Sequence, residues 1–418
     1  MYKTNYLYSG KQALVMIRAG DARASPDFWI KKEEIYLMSP DNIEKYNSLI
    51  RDRVKEVVDL RALPSKEEVF NSMLNYDLSG LYYRDRPLSE KILARIRDNI
   101  DPGAFSGNFV YGIAIRNTSL RKVPIEAGMF REAGDREFDM LQETGLELAE
   151  PLLILHKSRD KKWLFVQTRN YRGWARSRDV AVAEKEDLFD YVERREFLIV
   201  TGDRVYTQPN PYDEEVSMRA MIMGTKVPLF RSSAKAVDGQ STEGNFIVEL
   251  PCEKRGEMTT KLALISRRKD VSSGYLPYTV NNIIKQVFKF LWHRYGWGDG
   301  FSGIDCSGLV TRVFKTFGIF LPRNTGQQEK CPGRITEIRG EESLKSVIPG
   351  SALYMPGHVA VYLGEADSKG YIIHAFHGYY DGHRFMKVNE VAVTTVDIMR
   401  SDGRKFLDCF TRAITFVL

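Results

Sequence analysis

Apolar positions in the first hundred residues recur with the three-to-four spacing of amphipathic helices. Segment 41–60 shows this spacing clearly. Ser65 is placed to cap a second helix, because Glu68 follows three residues later and an apolar run comes behind it. A third helix is predicted over 89–100. The pattern therefore predicts a helical N-terminal region over residues 1–104.

Short β-rich runs replace the helical spacing from about residue 105. Turn residues separate the runs at near-regular intervals, which is typical of a small β-barrel. The runs fall into two similar sets, so we expect one β unit over 105–186 and a second over 187–272. The predicted strands are 109–115, 152–156, 162–167, 173–175, 197–200, 227–230 and 245–250.

The remaining segment, 273–418, mixes helical and strand patterns. One helix is predicted over 282–295. A second helix begins at Cys306 and ends at Gly318, a residue type that commonly terminates helices. Strands are predicted over 352–355, 358–363, 371–376 and 412–417. The expected architecture is an α+β domain preceded by two β units and a helical region.

Length, composition and charge are those of a soluble multidomain protein. The chain has 418 residues, 43% of them hydrophobic and 28% charged. Lys plus Arg number 61 against 55 Asp plus Glu, a net charge of +6, and no basic run occurs. Nucleic-acid binding is therefore not indicated, whereas a mildly basic surface would suit an anionic polymer.

Cysteine usage and hydropathy exclude further classes. No CxxC pair occurs among the four cysteines, so a structural zinc site is not indicated. Four cysteines in so long a chain are also not a disulfide framework. No run of 18 apolar residues predicts a transmembrane helix. Residues 1–5 lack an apolar export segment, so we expect either a cytoplasmic protein or a mature chain whose leader has been removed. The cysteines are Cys252, Cys306, Cys331 and Cys409.

Cys306 is the candidate nucleophile. A thiol in the first turn of a helix faces unpaired backbone N–H groups and the positive end of the helix dipole, which would lower its pKa. The same N–H groups can donate to an oxyanion. The alternative is a buried thiol, the common fate of cysteine. Asp305, Ser307 and the nearby glycines favour catalysis, because such residues rarely surround a core cysteine.

Two histidines on predicted strands are candidates for the base and for the residue that orients it. His358 begins one strand after a Pro-Gly turn, and alternation places it on the same face as Ala360 and Tyr362. His374 lies on the next strand. If the two strands pair, His374 can hydrogen-bond the far nitrogen of His358 and fix its tautomer. The interpretation is a Cys306–His358–His374 triad.

A metal site is the alternative use of these side chains. Cys306 and the four downstream histidines could supply zinc ligands. However, His374 and His377 are three residues apart on a predicted strand and should face opposite sides, and no HExxH pair occurs. We therefore predict no metal and no cofactor. The histidines in question are His358, His374, His377 and His383.

At these residues the chain resembles the NlpC/p60 family of cysteine peptidases, which cleave peptidoglycan stem peptides on a papain-like core. The resemblance rests on four blocks in the family's order. They are YGWG at 295–298 with DCSG at 305–308, LPRNTGQQ at 321–328, PGHV at 356–359 and IHA at 373–375.

The resemblance extends upstream to a subgroup with a helical N-terminal region and two bacterial SH3-like domains. SLRKVP at 119–124, EFDMLQ at 137–142 and GW at 173–174 look like an SH3-like domain, and LPYT at 276–279 looks like the entry to the peptidase domain. The implied organisation is a helical region over 1–104, SH3-like domains over 105–186 and 187–272, and a papain-like peptidase domain over 273–418.

The resemblance implies a specific reaction and a set of substrate contacts. Related enzymes cut the bond between γ-D-glutamate and the diamino acid of a stem peptide, several of them requiring a free N-terminal L-alanine. Asp305 and Ser307 match the residues that bind its amine, which is reasonable because both can accept from an ammonium group. Thr325 and Tyr295 match a hydroxyl residue and a tyrosine near the active site.

The resemblance leaves several points open. Tyr171 and Asp139 lie in the first SH3-like domain, which forms one end of the active-site groove in relatives. Neither residue is assigned a role. Asp299 stands where the family usually shows a second glycine, which could alter the groove rim.

Two rival functions and the cellular location of the protein stay open. The rivals are a non-catalytic wall-binding protein and an acyltransferase on the same core. The expected partner is peptidoglycan or its fragments, acted on by a monomer in the cell envelope or in cytoplasmic wall recycling.

Overall fold

The N-terminal region is helical in the computed structural model, which describes residues 16–418. Ser39 and Ser65 cap the first two helices by accepting hydrogen bonds from the N–H groups of Asn42 and Glu68. The Ser65 cap is the predicted one. The prediction about an export segment in residues 1–5 lies outside the described residues. The elements are β1 (Tyr36–Met38), α1 (Pro40–Arg53), α2 (Lys66–Leu74), β2 (Tyr82–Tyr83), β3 (Arg86–Pro87) and α3 (Glu90–Ile100).

Helix α1 ends at Arg53, well before the predicted end at residue 60. Val54 is extended, with φ −117° and ψ 99°, and both Val54 and Val57 are buried. Their side chains pack into the core of the C-terminal domain. Tertiary burial therefore overrides the helical spacing that these valines continue in the sequence.

Two cores share the N-terminal region. Residues around α1 pack with the C-terminal domain, and the Tyr46 hydroxyl donates to the Pro332 carbonyl at 2.5 Å. Helices α2 and α3 pack instead against the first β unit around Trp174. The described part of the region has no core separate from its neighbours, and its extent as a domain, 1–104, stays a prediction. Buried contributors are Trp29, Ile43, Tyr46 and Ile50 to one core, and Val69, Met73, Ile96 and Ile100 to the other.

Replacing Ile50 by alanine is expected to lower the free energy of unfolding by about 2–5 kcal/mol. Ile50 is fully buried in the cluster that also holds the helix carrying Cys306. Urea unfolding followed by tryptophan fluorescence measures the change. Leu49→Ala is the matched control, because Leu49 is 38% exposed on the same helix and should change stability by less than about 0.5 kcal/mol. Equal effects of the two variants would contradict the shared core.

The first β unit follows the predicted runs closely. Most residues of its longer strands are buried, and Trp174 is fully buried in the unit's core. Neighbouring strands pair in antiparallel fashion. The strands are β4 (Val110–Ala114), β5 (Thr118–Arg121), β6 (Met129–Phe130), β7 (Gln142–Leu146), β8 (Pro151–Lys157), β9 (Trp163–Gln167), β10 (Arg172–Arg176) and β11 (Val180–Ala183).

The second β unit extends the sheet of the first. A long hairpin, β18–β19, joins strand β11 through a parallel pairing of Val182 with Glu257, so that nine strands run in the order β18-β19-β11-β4-β8-β9-β10-β5-β7. The boundaries at residues 186 and 272 stay predictions. The elements are α4 (Lys185–Val192), β12 (Phe197–Val200), β13 (Arg204–Tyr206), β14 (Ala220–Ile222), β15 (Lys226–Pro228), β16 (Ala236–Val237), β17 (Gln240–Ser241), β18 (Asn245–Lys254), β19 (Glu257–Ser266) and β20 (Val271–Ser273).

The C-terminal domain packs two helices against a six-stranded antiparallel sheet of order β22-β27-β23-β24-β25-β26. The four predicted strands are present, whereas β22 and β26 were not predicted. The first helix ends at Phe288 and not near residue 295. The elements are β21 (Tyr278–Thr279), α5 (Val280–Phe288), α6 (Cys306–Lys315), α7 (Thr325–Gln328), β22 (Arg334–Glu337), α8 (Glu341–Leu344), β23 (Ala352–Met355), β24 (His358–Ala366), β25 (Lys369–Asp381), β26 (Arg384–Thr395), α9 (Phe406–Cys409) and β27 (Arg412–Thr415).

The architecture confirms the predicted fold class of β units followed by an α+β domain. Helix α6 lies against strands β24 and β25, so its first turn meets the start of β24. This packing positions the candidate site. Within residues 16–418, none of the helices has the length and apolar character that crossing a membrane requires.

Candidate active site

Cys306 opens helix α6, as the sequence predicts, and Asp305 caps that helix. The Asp305 carboxylate accepts a hydrogen bond from the Gly308 N–H at 2.7 Å. The Asp305 carbonyl accepts from the Leu309 N–H at 2.9 Å. The cap fixes the first helical turn, and it therefore fixes the direction in which the Cys306 side chain leaves the helix.

The Cys306 thiol is half-buried between a short helix and the start of a strand. Its sulfur lies 3.8 Å from Oγ1 of Thr325, the hydroxyl expected near the nucleophile. The backbone N–H of Val359, which follows His358 on β24, also donates toward the sulfur. The structure thus brings Cys306 and Thr325 together with the first residues of the histidine-bearing strand.

The two predicted histidines are hydrogen-bonded to each other on paired strands. Strands β24 and β25 are antiparallel neighbours, and His358 Nε2 lies 2.8 Å from His374 Nδ1. His374 is fully buried, stacks on Phe376 at 4.1 Å, and its Nε2 lies 3.1 Å from Oγ1 of Thr394. The second imidazole is therefore held on both nitrogens and on one ring face, which restricts the rotation of the first.

Burial sets the protonation of the thiol and its neighbouring imidazole. It raises the pKa of Cys306 to about 11, and the Asp305 carboxylate adds to the rise. It also lowers the pKa of His358 to about 4, and the charge of Arg400 contributes. The expectation that the helix dipole lowers the thiol pKa is wrong, because desolvation of the thiolate outweighs it. At neutral pH the free protein holds a neutral thiol and a neutral imidazole.

Alkylation of Cys306 by iodoacetamide is expected to accelerate continuously from about pH 6 to about pH 9. With the thiol pKa at about 11, the reactive thiolate fraction rises about tenfold per pH unit below that value. Mass spectrometry of the labelled protein gives the rate. Cys306→Ala supplies the background, since the other three cysteines are buried. A rate already constant above about pH 6 would indicate a resting thiolate–imidazolium pair and contradict this account.

Asp305 and Ser307 belong to a buried ion pair with Arg323, a residue to which the sequence analysis gave no role. Arg323 donates to both Asp305 oxygens, at 3.0 and 2.6 Å, and to Ser307 Oγ at 2.8 Å. Burial alone would raise the pKa of Asp305, but the charge and hydrogen bonds of Arg323 hold that pKa below its usual range. Whether Asp305 and Ser307 bind a substrate amine stays a prediction.

Tyr295 lies between Cys306 and the first β unit. Burial raises the pKa of its phenol, and the neighbouring Cys306 and Asp305 raise it further. Its ring packs 6.2 Å from that of Phe138, which comes from the loop between β6 and β7. The predicted site tyrosine is therefore close to Cys306, as expected, and its substrate-binding role stays a prediction.

Of the two residues left unassigned in the first β unit, one reaches the site. Tyr171 donates a hydrogen bond to Glu143 and lies beside Asn324, the neighbour of Thr325. Asp139 is instead paired with Arg121 at 2.6 Å in the interior of the unit.

Gln328 is a further residue that the sequence analysis did not single out. Its Nε2 donates to the Ser307 carbonyl and to the Pro322 carbonyl, each at 3.0 Å, and so ties the loop of Thr325 to helix α6. Gln328 and Arg323 both lie in the block 321–328 that carried the resemblance. That block was the available signal, but only its threonine was assigned a role.

The remaining histidines do not join the pair. Strand β25 has a register irregularity between Phe376 and Gly378, and His377 hydrogen-bonds Asn389 on β26. His383 is exposed in the hairpin beyond it. Across residues 16–418, no three or more His, Cys, Asp or Glu side chains are grouped as metal ligands.

The first β unit contributes residues to two open cavities at its boundaries with other parts of the chain. One, of about 970 Å³, is lined by Phe138, Trp297, His377 and Phe385 among others. The other, of about 610 Å³, is lined by Tyr171, Glu143 and Asn324 together with residues of the N-terminal region. The β unit therefore shares both cavities with residues of the C-terminal domain, whereas Cys306, His358 and His374 line neither of them.

Comparison with known proteins matches two parts of the chain to families. Residues 293–394 match the NlpC/P60 family, and residues 128–176 match the SH3 domain of the SH3b1 type. Dipeptidyl-peptidase 6 of Lysinibacillus sphaericus is 34% identical over 85 residues, which are 20% of this chain and 29% of that protein. The Listeria monocytogenes protein named Probable endopeptidase p60 is 34% identical over 88 residues, 20% of this chain and 17% of that protein.

The structural comparison covers far more of the chain. A solved NlpC/P60 endopeptidase from Photobacterium damselae subsp. piscicida aligns over 94% of this chain and 97% of its own, with a TM-score of 0.75 and 17% identity. At that identity the likeness concerns the fold. The matched stretch spans less than a third of the length of either sequence relative.

A cysteine at the start of a helix that packs against an antiparallel sheet, with two hydrogen-bonded histidines on that sheet, is the arrangement of a papain-like cysteine peptidase domain. Residues 293–394 therefore form a domain of the NlpC/P60 family, and residues 128–176 before it form an SH3 domain of the SH3b1 type.

Proposed function

We propose that this protein is a cysteine endopeptidase of peptidoglycan that hydrolyses the bond between γ-D-glutamate and the diamino acid of stem peptides. The observation that carries the proposal is the hydrogen-bonded pair of His358 and His374 beside the capped Cys306. With Nε2 of His358 engaged by His374, Nδ1 is the nitrogen left to serve the thiol. The family match and the relatives named as peptidases support the substrate class.

The mechanism begins from the neutral pair. His358 removes the Cys306 proton as the sulfur attacks the γ-glutamyl carbonyl, which forms a carbon–sulfur bond and an oxyanion. The protonated imidazole then donates its proton to the departing amine, and a thioester remains. Water, deprotonated by His358, hydrolyses the thioester and restores the thiol. His374 keeps the imidazole in one tautomer throughout.

Backbone N–H groups at the start of α6 are the proposed oxyanion donors. Asp305 already engages the N–H groups of Gly308 and Leu309. The N–H groups of Cys306 and Ser307 are thereby left at the open end of the helix, nearest the sulfur. Such preorganised donors commonly contribute on the order of 100-fold or more to kcat.

Recognition of a free N-terminal L-alanine by Asp305 and Ser307 is the finer part of the proposal. Both acceptors are shared with Arg323, so an ammonium group would compete with a guanidinium already in place. One relative is named a dipeptidyl-peptidase, a class of enzyme that acts from a free N-terminus. Another is named an endopeptidase, a class that cuts within a chain and needs no free amine. The N-terminal requirement therefore has to be measured separately from cleavage.

Mass spectrometry of products tests the proposed function. L-Ala-γ-D-Glu-diaminopimelate, its lysine counterpart and an N-acetylated copy are each incubated with the wild-type protein. We expect release of the free diamino acid and the dipeptide. If only the acetylated copy resists cleavage, amine recognition is supported. If both copies are cleaved, that part fails while the peptidase function stands.

The rival functions give different products. An acyltransferase would move the γ-glutamyl group to an added amine in preference to water, and a binding protein would retain peptidoglycan without cleaving it. Localisation in the cell envelope or in a wall-recycling compartment, the monomeric state and the SH3-like domain boundaries are proposals that these product assays leave open.

A further inference from the structure

Asp299, which lies in the loop before helix α6, combines an unusual backbone conformation with a buried charge. Its φ of +58° lies in the left-handed region, which a residue with a Cβ adopts only at a conformational cost. Its side chain is only 5% exposed. A buried carboxylate at a strained position requires partners, because desolvation strongly disfavours an unpaired charge.

The partners of Asp299 all belong to the framework of the nucleophile. Its Oδ1 accepts a hydrogen bond from the Asp305 N–H at 3.1 Å, one residue before Cys306. Its Oδ2 accepts from Arg312 on helix α6 at 3.0 Å, and the Arg323 guanidinium lies 3.4 Å from Oδ1. The same carboxylate packs so closely on Gly308 that a Cβ there would have no room.

The two arginines carry these contacts onward into the first SH3-like domain. Arg312 donates to Glu147 at 2.8 Å, and Arg323 donates to Thr144 at 2.6 Å. Both acceptors lie on or directly after strand β7. Each of the two guanidinium groups therefore bridges Asp299 and the SH3-like domain.

We propose that Asp299 is a positioning residue for Cys306, which locks the cap of the catalytic helix and couples that helix to the first SH3-like domain through Arg312 and Arg323. The inference rests on the proposed function only in taking Cys306 as the nucleophile. Asp299 touches neither the thiol nor a reacting atom, so it acts through the geometry of Asp305 and the first turn. Misplacement of a nucleophile by about 1 Å can lower kcat on the order of 100-fold.

A positioning role and an electrostatic role predict opposite signs for the change in kcat. Removing a negative charge near a thiol lowers the thiol pKa and speeds alkylation. A purely electrostatic Asp299 would therefore make its neutral variant more reactive and at least as active. A positioning Asp299 lowers kcat even though the thiol alkylates faster.

The test compares Asp299→Asn, which keeps the shape and the Oδ1 acceptor, with Asp299→Gly, which removes the whole side chain. Asp203→Asn is the matched control, because Asp203 also joins an SH3-like domain to the peptidase domain, through His293 at 2.8 Å, without touching helix α6. Stem-peptide kcat and KM, the pH profile of Cys306 alkylation and the melting temperature are measured for each variant.

We expect Asp299→Asn to lower kcat by about 10-fold and Asp299→Gly by about 100-fold, with KM changed less than about threefold. Alkylation at pH near 8 should be about two- to fivefold faster, because a negative charge near the thiol is removed. In the double variant Asp299→Asn/Arg312→Gln, the loss in kcat should be smaller than the product of the single losses, because the two residues share one contact.

Three results would overturn the proposal. The first is a kcat for both Asp299 variants within about twofold of the Asp203→Asn control. The second is a loss of kcat that parallels a loss of folded protein, with alkylation slowed equally. The third applies if the wild type cleaves no stem peptide, in which case the proposed function fails and the pH profile of Cys306 alkylation decides the role of Asp299. A profile that is shifted in Asp299→Asn relative to the wild type supports coupling of Asp299 to Cys306, whereas identical profiles contradict it.

Discussion

Replacing Cys306 by alanine is expected to lower kcat for stem-peptide hydrolysis by at least about 10⁴-fold. The change removes the only protein atom that bonds to the substrate carbonyl in the proposed mechanism. The helix should persist, because its cap is Asp305 and alanine is a good helix former. Initial rates by mass spectrometry, together with a melting curve, separate loss of chemistry from loss of fold.

Cys252→Ala is the matched control for that change. Cys252 lies in the second β unit, and burial raises its thiol pKa to about 11, as it does for Cys306. The two thiols thus share a protonation state and differ in their surroundings. Cys252→Ala should retain activity within about twofold. Residual turnover by Cys306→Ala close to the wild-type rate would assign the chemistry elsewhere.

Replacing His358 by alanine is expected to lower kcat by about 10³–10⁵-fold, and replacing His374 by about 10–100-fold. The first variant loses the base and the acid for the departing amine. The second keeps both but frees the imidazole that His374 Nδ1 holds at 2.8 Å. The loss of kcat in His358→Ala should also be independent of pH over the neutral range, because the His358 pKa of about 4 leaves the wild-type imidazole neutral there. Steady-state rates at several pH values give both results.

His293→Gln serves as the histidine control. His293 belongs to the same domain but pairs with Asp203 away from the strands that carry the other two. We expect its rate to stay near that of the wild type. If His374→Ala lost as much activity as His358→Ala, the division into a base and an orienting residue would be wrong.

Local signals in the sequence were sufficient to place Cys306 at a helix start and both histidines on neighbouring strands. The cap of α6, the Pro-Gly turn before β24 and the alternation along β24 and β25 each involve residues within a few positions of one another. Periodicity and capping report on such neighbours directly. The pairing of the two strands follows from their closeness in the chain, so the contact between the imidazoles could be predicted as well.

Contacts between distant residues could not be predicted from the same patterns. Val54 continues a helical spacing, yet it enters a core built mostly by residues more than 200 positions later. The sequence pattern predicts that the segment of hairpin β18–β19 belongs to a second barrel, but in the structure the hairpin extends the sheet of the first unit. Asp305 looked free to bind an amine, because nothing local indicated that Arg323 would occupy both of its oxygens.

The protonation of the site was missed for a related reason. The helix dipole is a property of α6 alone and would favour a thiolate. Burial by β24 and the nearby Asp305 carboxylate act in the other direction and prevail at Cys306. The dipole was visible in the sequence, whereas the depth of the pocket depends on how helix and sheet pack.

Intact-protein mass spectrometry of rapidly quenched reactions tests the central claim most directly. The account predicts a transient adduct with the mass of an alanyl-γ-glutamyl group, located by digestion to the peptide that contains Cys306 and absent from Cys306→Ala. Hydrolysis of the stem peptide by the wild type, with no adduct on Cys306 at any quench time and full activity in Cys306→Ala, would contradict it.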